Sequence, residues 1–408
     1  MLKQKGVINN TAVVLLFICL LLNSGCWDRR EVDRLSLTLA VGIDYWPEED
    51  QIVYSSLFAR PGQVAGGLDG GGGQLFMGPI WVNQTTGKTI FEASRNLVNK
   101  SPRSLFESHI LAMVVGEDLA RRGTGELVDF IVREREHRLI HPILIVRGKA
   151  EEVIKAEPEL ENNIAQEIRD ILESQRDLST APIITLSDFL VPLNQPGADA
   201  FAPVIEIQEK TPTPDEEFTG GGNGGEDRGK KFIAVQGTAV FSGDKLAGYL
   251  NVPETKGLLW VQGEVIRANL IPRQSDGGQV TVYIVRSESK LEPEFTEDGL
   301  KMKIQVETEG DIAAANIKQD IADPQVIEEL EKTLANLIKQ EILMAVAKSK
   351  EFKSDFFALG AASRRKDPKK WKEIEDNWRD MLPEVEVEIR VIAEIRRTGL
   401  ISTPIIQE

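Results

Sequence analysis

The sequence predicts an α+β fold of two to three domains, with mixed or antiparallel sheets packed by helices. Three observations support this prediction. Short aliphatic runs typical of buried strands recur along the chain. Segments with apolar residues at helical spacing lie between them. A stretch rich in Gly, Pro and acidic residues, 211–230, separates two such sets, and 408 residues suffice for that number of domains.

In the N-terminal part, the aliphatic run 35–43 predicts a buried strand, and 51–58 predicts its antiparallel neighbour. Thr89, followed three residues later by Glu92, predicts a helix start with a capping box. The segment 182–191 has a mixed pattern that favours neither a helix nor a strand. Further strands are predicted at 109–115 and 143–146, and helices at 116–122, 126–138, 150–156 and 162–175.

The C-terminal part is predicted to hold an antiparallel sheet with one long helix. Residues 301–308 alternate between apolar and polar side chains, and 384–395 repeat that pattern. Pro324 after Asp323 predicts the start of the long helix, because proline suits the first helical position. The helix then places apolar residues at helical spacing: Ile327, Leu330, Leu334 and Leu337. Other strands are predicted at 232–241, 245–250 and 280–288.

These elements divide the chain into four parts. We predict a signal segment at 1–25, an N-terminal α+β domain at 26–210, a flexible linker at 211–230 and a C-terminal α+β domain at 231–408, with an exposed hairpin tip as the alternative for 211–230. The last domain is a candidate for subdivision near 275–290.

The N-terminus has the layout of a secretory signal. Lys3 and Lys5 precede an apolar run at 11–22, and the small residues Ser24 and Gly25 follow it. A run of that length is too short to span a bilayer core, which needs roughly 20 apolar residues. An uncleaved anchor and a buried helix are the alternatives. The small residues and the abrupt change to polar sequence favour cleavage.

Cleavage before Cys26 leaves one cysteine in the mature chain, since Cys19 lies in the signal. A single thiol cannot form an internal disulfide, and an exposed thiol is reactive. Covalent capping removes this difficulty. The leucines, small residues, glycine and cysteine resemble the bacterial lipoprotein signal, in which the cysteine receives a diacylglycerol. Asn23 departs from the aliphatic residue usual at its position. We predict that Cys26 is lipidated, and two acyl chains anchor a protein stably.

Charge argues against a nucleic-acid partner. The net charge is −16, and removal of Lys3 and Lys5 with the signal takes it to −18. Binding to phosphates calls for a basic face. One basic run stands apart, 364–372, "RRKDPKKWK". We interpret it as a solvated turn between two helices, with contact to an anionic membrane surface as the alternative.

Catalytic chemistry has no support in the sequence. The three histidines are His109, His137 and His141, and the last two have a spacing compatible with a metal site. Pro142 directly follows His141 and disfavours a helix there. No nucleophile elbow or zinc-protease motif occurs. We therefore predict no catalytic residue, no metal, no cofactor and no enzymatic activity.

Four blocks of sequence resemble one family in the right order. They are "GCWDRREVDRLSLTLAVGID" (25–44), "GEDLARRGTGELVDFIVREREHRLIHPILIVRGKAEEVI" (116–154), "GTAVFSGDKLAGYLNVPETKGLLWVQGEV" (237–265) and "WKEIEDNWRDMLPEVEVEIRVIAEIRRTG" (371–399). The chain resembles the spore germination lipoproteins of the Ger(x)C type, which are the C subunits of nutrient germinant receptors. The glycine loop at 66–73 and the linker near Gly220 depart from the family as surface insertions.

The resemblance implies a lipid-anchored, non-enzymatic subunit on the outer face of the spore inner membrane. It implies a complex with two membrane-embedded receptor subunits, and no direct small-molecule ligand for this chain. It implies lipidation at Cys26 and carries over no catalytic residue. A solute-binding lipoprotein of an importer is the alternative, but such proteins usually form two parallel-sheet lobes, and here the C-terminal half is predicted to be antiparallel. A secreted hydrolase has no supporting motif.

Overall fold

The structure is a computed structural model with two β-sheets and several helices, and it confirms the predicted α+β class. The residues that it describes are 35–59, 80–134, 137–209, 231–272, 278–297, 299–317, 319–321 and 323–397. The predicted signal, Cys26, the glycine loop and the 211–230 linker lie outside these ranges.

The first sheet has nine strands and runs through the first two thirds of the chain. Its order is β3-β2-β1-β5-β6-β7-β8-β9, with β4 also paired to β1. The strands β1, β5, β6 and β7 are mutually parallel, while β2, β3, β8 and β9 join by antiparallel pairing. The bounds are β1 Leu35–Trp46, β2 Gln51–Ala59, β3 Ile80–Gly87, β4 Ser104–Phe106, β5 Ala112–Gly116, β6 Ile143–Val146, β7 Phe201–Glu209, β8 Lys231–Ser242 and β9 Lys245–Leu250.

Helices cover both faces of this sheet. The helices α1 (Ile90–Val98), α2 (Glu117–Arg122), α3 (Gly125–Arg133) and α6 (Leu186–Leu193) pack on one face. The helices α4 (Ala150–Ile154) and α5 (Ile164–Leu178) pack on the other. In β5, Met113 packs in the core on the face covered by α1, α2, α3 and α6, which we call the first core, and Val114 packs in the core on the opposite face. The central strands are therefore continuous aliphatic runs, because successive side chains enter two different cores.

The second sheet has four strands in the order β10-β11-β12-β13. They are β10 Ala268–Leu270, β11 Gln279–Thr296, β12 Gly299–Asn316 and β13 Glu386–Arg397. The pairs β10–β11 and β11–β12 are antiparallel, as predicted. The last strand, β13, pairs with β12 in parallel, which the alternating pattern of 384–395 did not reveal.

The predicted long helix is α8, Pro324–Phe352, and it packs on one face of the second sheet. Its N-cap is Asp323, whose side chain accepts a hydrogen bond from Gln325 N, and Pro324 is in the first turn, as predicted. The shorter helices near it are α7 Val252–Gln262, α9 Leu359–Lys366, α10 Pro368–Ile374 and α11 Trp378–Met381, with 3₁₀ turns at Glu375–Asn377 and Leu382–Glu384.

The first sheet crosses the predicted domain boundary. Strands β8 and β9 follow the 211–230 linker, yet they complete the first sheet through the β7–β8 pairing. Phe201 lies opposite Val240 in that pairing. The two strands after 211–230 therefore belong to the same sheet as the strands before it. The division into domains at 211–230 stays a prediction.

Several predicted bounds are wrong by a few residues. The strand predicted from His109 begins at Ala112, and the helix predicted for 126–138 ends at Arg133. Thr89 caps α1 by accepting from Glu92 N at 3.1 Å. The Glu92 carboxylate accepts from Lys88 N at 2.7 Å, so the predicted capping box is only half formed.

Candidate functional site

The predicted lipidation site, Cys26, lies outside the described residues, so its lipidation stays a prediction. Among the described helices, none is both long and apolar enough to cross a membrane. The long helix α8 is amphipathic: it buries Leu330, Leu334 and Ile338, whereas the charged residues Glu329, Lys332 and Lys339 are exposed.

A buried polar cluster beside the first sheet contains His137, Glu107 and Tyr54. His141 is buried near His137, whereas His109 is exposed. The Nε2 atom of His137 lies 3.5 Å from Oε2 of Glu107, and the Tyr54 hydroxyl donates to Oε1 of Glu107 at 3.0 Å. Burial, with a smaller effect from His141, lowers the pKa of His137 to about 4. The imidazole is therefore neutral near pH 7 and is part of the core.

This cluster lacks the character of a metal site. In the part of the chain that the structure describes, no three His, Cys, Asp or Glu side chains converge as metal ligands. The sequence singled out His137 and His141 but not Glu107 or Tyr54. These two partners lie 53 residues apart in the chain, and no local pattern links them.

A second buried cluster connects the first sheet to the helices of the second. We call it the aspartate joint: Asp199 and Asp355 with the groups that bind them. Asp199 precedes β7, and Asp355 follows α8. The Asp199 carboxylate accepts from Gly243 N at 2.7 Å, from Asp355 N at 2.8 Å and from Nη2 of Arg379 at 2.7 Å. Asp199 N donates to Asp355 O at 2.9 Å, which makes the contact reciprocal.

The Asp355 carboxylate is fully engaged by three donors. It accepts from Leu359 N and Gly360 N, each at 2.8 Å, and from Nε1 of Trp378 at 2.9 Å. Burial is the largest influence on this group and raises the pKa of Asp355 to about 7, although the three donors act in the opposite direction. Both oxygens hold backbone or indole N–H groups, so the arrangement favours a structural role over proton transfer.

Two glycines let the chain segments of the aspartate joint approach closely. Gly197 has φ +79°, and a Cβ atom there would lie 2.6 Å from the Gly360 carbonyl carbon. A Cβ atom on Gly360 would lie 2.6 Å from Gly197 Cα and equally close to the Trp371 ring. Ala361 N donates to Gly197 O at 2.7 Å across this contact. The two regions are thus joined by backbone contact that larger residues would prevent.

A cavity of about 590 Å³ lies beside the aspartate joint. Its walls are the 192–199 segment, Gly243 and residues of the 375–379 segment. The side chains of Glu375, Asp376 and Arg379 contribute charge to it. Small-molecule sites often occur between domains at this volume. This cavity is therefore the place where the predicted absence of a small-molecule ligand can be tested.

The basic run is a turn between two helices, as predicted. Helix α9 ends at Lys366, and Asp367 caps α10 by accepting from Lys369 N at 3.0 Å and Lys370 N at 3.1 Å. The basic side chains are exposed, whereas Trp371 is buried against Trp378 at a centroid distance of 5.3 Å. The sequence did not separate this buried tryptophan from the charged residues around it.

Both regions of the fold match families of spore germination proteins. Residues 28–207 match the family described as "Spore germination protein N-terminal domain", and residues 236–399 match "Spore germination B3/ GerAC like, C-terminal". Together these matches span most of the chain, and the second begins within β8, so it includes the last strands of the first sheet. The chain belongs to the Ger(x)C family.

Full-length relatives agree with this assignment. This Ger(x)C protein is 29% identical to spore germination protein KC of Bacillus subtilis (strain 168) over 404 residues, which cover 96% of each chain. It is 22% identical to spore germination protein B3 of the same organism, with 95% of this chain and 97% of the relative covered. These matches confirm the resemblance found in the sequence.

The fold is similar to that of one experimentally determined relative. The crystal structure of the GerBC protein matches with a TM-score of 0.56 and 16% identity, covering 90% of this chain and 99% of that chain. At that identity the likeness supports the fold of the Ger(x)C protein.

Proposed function

We propose that this chain is a lipid-anchored, non-enzymatic subunit of a nutrient germinant receptor, required for spore germination. The observation that carries the proposal is the match of both halves of the chain, over nearly their full length, to spore germination proteins. The relative that is 29% identical aligns over 96% of both chains. That full-length match is the basis on which we transfer the function.

The anchor is the lipid on Cys26. The export signal before it, and the lack of another cysteine in the mature chain, support this assignment. Export followed by diacylation places the two domains on the outer face of the spore inner membrane. The net charge of −18 would repel an anionic bilayer, so attachment depends on the acyl chains rather than on overall electrostatics.

The protein acts by contact and carries out no chemistry. Buried carboxylates of the described residues support this view, because Asp199 and Asp355 accept hydrogen bonds from backbone N–H groups. Asp44 is a further example: its carboxylate accepts from Ala150 N at 2.7 Å and Glu151 N at 2.9 Å at the start of α4. Burial raises the pKa of Asp44 to about 6, and the two backbone donors oppose this rise. The partners are two membrane-embedded receptor subunits.

Mass spectrometry of the mature N-terminus tests the anchor. We expect Cys26 at the N-terminus with a diacylglycerol, and the Cys26→Ala chain in the soluble fraction or retained by an uncleaved signal. Co-purification from detergent-solubilised spore membranes tests the complex, and both membrane-embedded subunits should be recovered with the tagged wild-type chain. An unmodified Cys26 would refute the anchor, and purification of the chain alone would refute the complex.

Titration calorimetry distinguishes this function from that of a solute-binding lipoprotein. The cavity beside the aspartate joint is the site at which a solute would bind. We expect no heat of binding when amino acids and sugars are titrated into the purified chain. Tight binding that is abolished by Arg379→Gln would favour the solute-binding function instead.

A further inference from the structure

The turn between α3 and β6 carries unusual residues at its tip. His141 N donates to Arg138 O at 3.2 Å, so Leu139 and Ile140 are the two central residues of a β-turn. Such positions favour Gly, Pro, Asn, Asp and Ser. Here both residues are aliphatic, and they are 43% and 71% exposed. Two consecutive aliphatic side chains at an exposed turn suggest a surface that binds something apolar.

The base of this turn is held firmly. Ser187 N donates to Leu139 O at 2.8 Å, and Leu186 N donates to His141 O at 2.8 Å, so the start of α6 supports the turn. The residues on either side, His137 and His141, are buried. The tip therefore projects its apolar side chains from a fixed backbone and has little freedom to fold them inward.

The tip lies at the same edge of the sheet as the start of β1. Strands β1, β5 and β6 are parallel, so their amino ends share an edge. At that edge β4 pairs with β1 from Leu35 onward, and Glu107, just after β4, contacts His137 next to the turn. Cys26 precedes Leu35 by nine residues, a length that reaches at most about 32 Å when extended.

We propose that the Arg138–His141 turn contacts the bilayer and inserts Leu139 and Ile140 at the level of the lipid headgroups. The proposal rests on the lipid anchor of the proposed function and adds the orientation of the first domain. The exposed Arg138 beside the tip suits an anionic phosphate. Two aliphatic side chains are too few to hold the protein alone. Once the acyl chains have brought the domain to the membrane surface, the side chains of Leu139 and Ile140 are enough to favour one orientation of the domain.

The cysteine content of the chain allows a direct test. The mature chain has no cysteine except Cys26, so Ile140→Cys introduces the single thiol that a fluorophore can label. The matched control is Ile266→Cys, which is 54% exposed and precedes β10 in the other sheet. Both lipidated chains are labelled with an environment-sensitive dye. They are then reconstituted into vesicles of phosphatidylglycerol and phosphatidylethanolamine.

We expect the label at 140 to shift to the blue, to be quenched by lipid-borne nitroxides and to lose its quenching by aqueous iodide. The label at 266 should keep its aqueous properties. Adding Leu139→Asp to the Ile140→Cys chain should return the label to water, because a carboxylate resists insertion.

An aqueous label at 140, in a chain whose Cys26 lipid is verified by mass spectrometry, would overturn the proposal and leave the anchor intact. A label that becomes shielded only when the partner subunits are added would identify a protein contact and would also overturn it. A Cys26 without lipid would refute the anchor and, with it, this proposal.

Discussion

The two sheets of this Ger(x)C protein use the same β geometry in different ways. The central strands of the first sheet are buried on both faces, as Met113 and Val114 of β5 illustrate. The second sheet buries one face under α8, while its other face carries charges. There Lys301 lies 3.0 Å from Glu386 and 3.1 Å from Glu388.

This difference shows where each region tolerates change. A strand with helices on both sides has no position at which a charge can reach water, so any polar substitution leaves an unpaired buried group. A strand with one solvated face accepts charge at every second residue. The first sheet therefore has few sites available for surface function except its loops and edges, whereas the second offers a broad polar face.

The largest expected effect is the difference in stability loss when a carboxylate is placed in a central strand of each sheet. Val114→Asp in β5 should cost more than about 4 kcal/mol of unfolding free energy, because the charge would be buried and unpaired. The matched control is Lys303→Asp in β12, also a central strand, where the residue is exposed. It should leave the protein folded with only a small loss. Chemical denaturation monitored by circular dichroism measures both, and equal losses would contradict the contrast.

An effect of intermediate size is expected in the pH dependence of the unfolding free energy, to which His137 and Asp355 contribute with opposite signs. The pKa of His137 is lowered to about 4, so its neutral form is favoured by folding, and stability is lost as pH falls from about 6.5 to about 4. That loss amounts to about 3 kcal/mol. The pKa of Asp355 is raised to about 7, so its contribution has the opposite sign: stability is lost as pH rises from about 4 to about 7.

The corresponding variants should change the pH dependence in opposite directions. His137→Gln should make the unfolding free energy rise less steeply with pH between 4 and 6.5, and Asp355→Asn should make it rise more steeply between 4 and 7. For Asp355→Asn, a pH-independent loss of about 1–3 kcal/mol should add to this change in slope, because one of the three donors then meets an amide NH₂. Denaturant midpoints across this pH range provide the measurement. Slopes that change in the same direction in both variants would refute the assignment.

The smallest expected effect is on the charged face of the second sheet. Lys301→Gln removes the contacts with Glu386 and Glu388, whose side chains are largely exposed. Surface pairs are weak and screened by salt. The thermal midpoint should fall slightly at low ionic strength and match the wild type at high salt. A large, salt-independent fall would mean that this face is packed rather than solvated.

The sequence predicted most strands of both sheets but missed β3, β4, β7 and β10, and it said less about how the strands pair. Alternation identified β12 and β13, because one solvated face leaves a period of two. It could not show that β13 runs parallel to β12, since a strand has the same side-chain pattern in either direction. The helix α7 was missed, although Asn251 and Glu254 form a full capping box there. That spacing, with Pro253 between them, was the available signal.

The buried clusters could not be predicted from the sequence. Asp199 and Asp355 are 156 residues apart, and each is an ordinary acidic residue in an acidic chain. Their importance comes from tertiary contact, which no local periodicity records. The family, in contrast, was recognised from four blocks of residues, because they occur in the right order along the whole chain.

Nutrient-triggered germination tests the central claim most directly: this protein is a receptor subunit that works by contact. The assay uses spores that lack every other germinant receptor. We predict that such spores respond to nutrient with the wild-type gene and fail to respond when it is disrupted. His109→Gln, His137→Gln and His141→Gln should each preserve the response, provided that immunoblots show normal protein levels. Germination that persists without the gene would contradict the receptor function, and complete loss at normal protein level from one histidine substitution would contradict the non-enzymatic role.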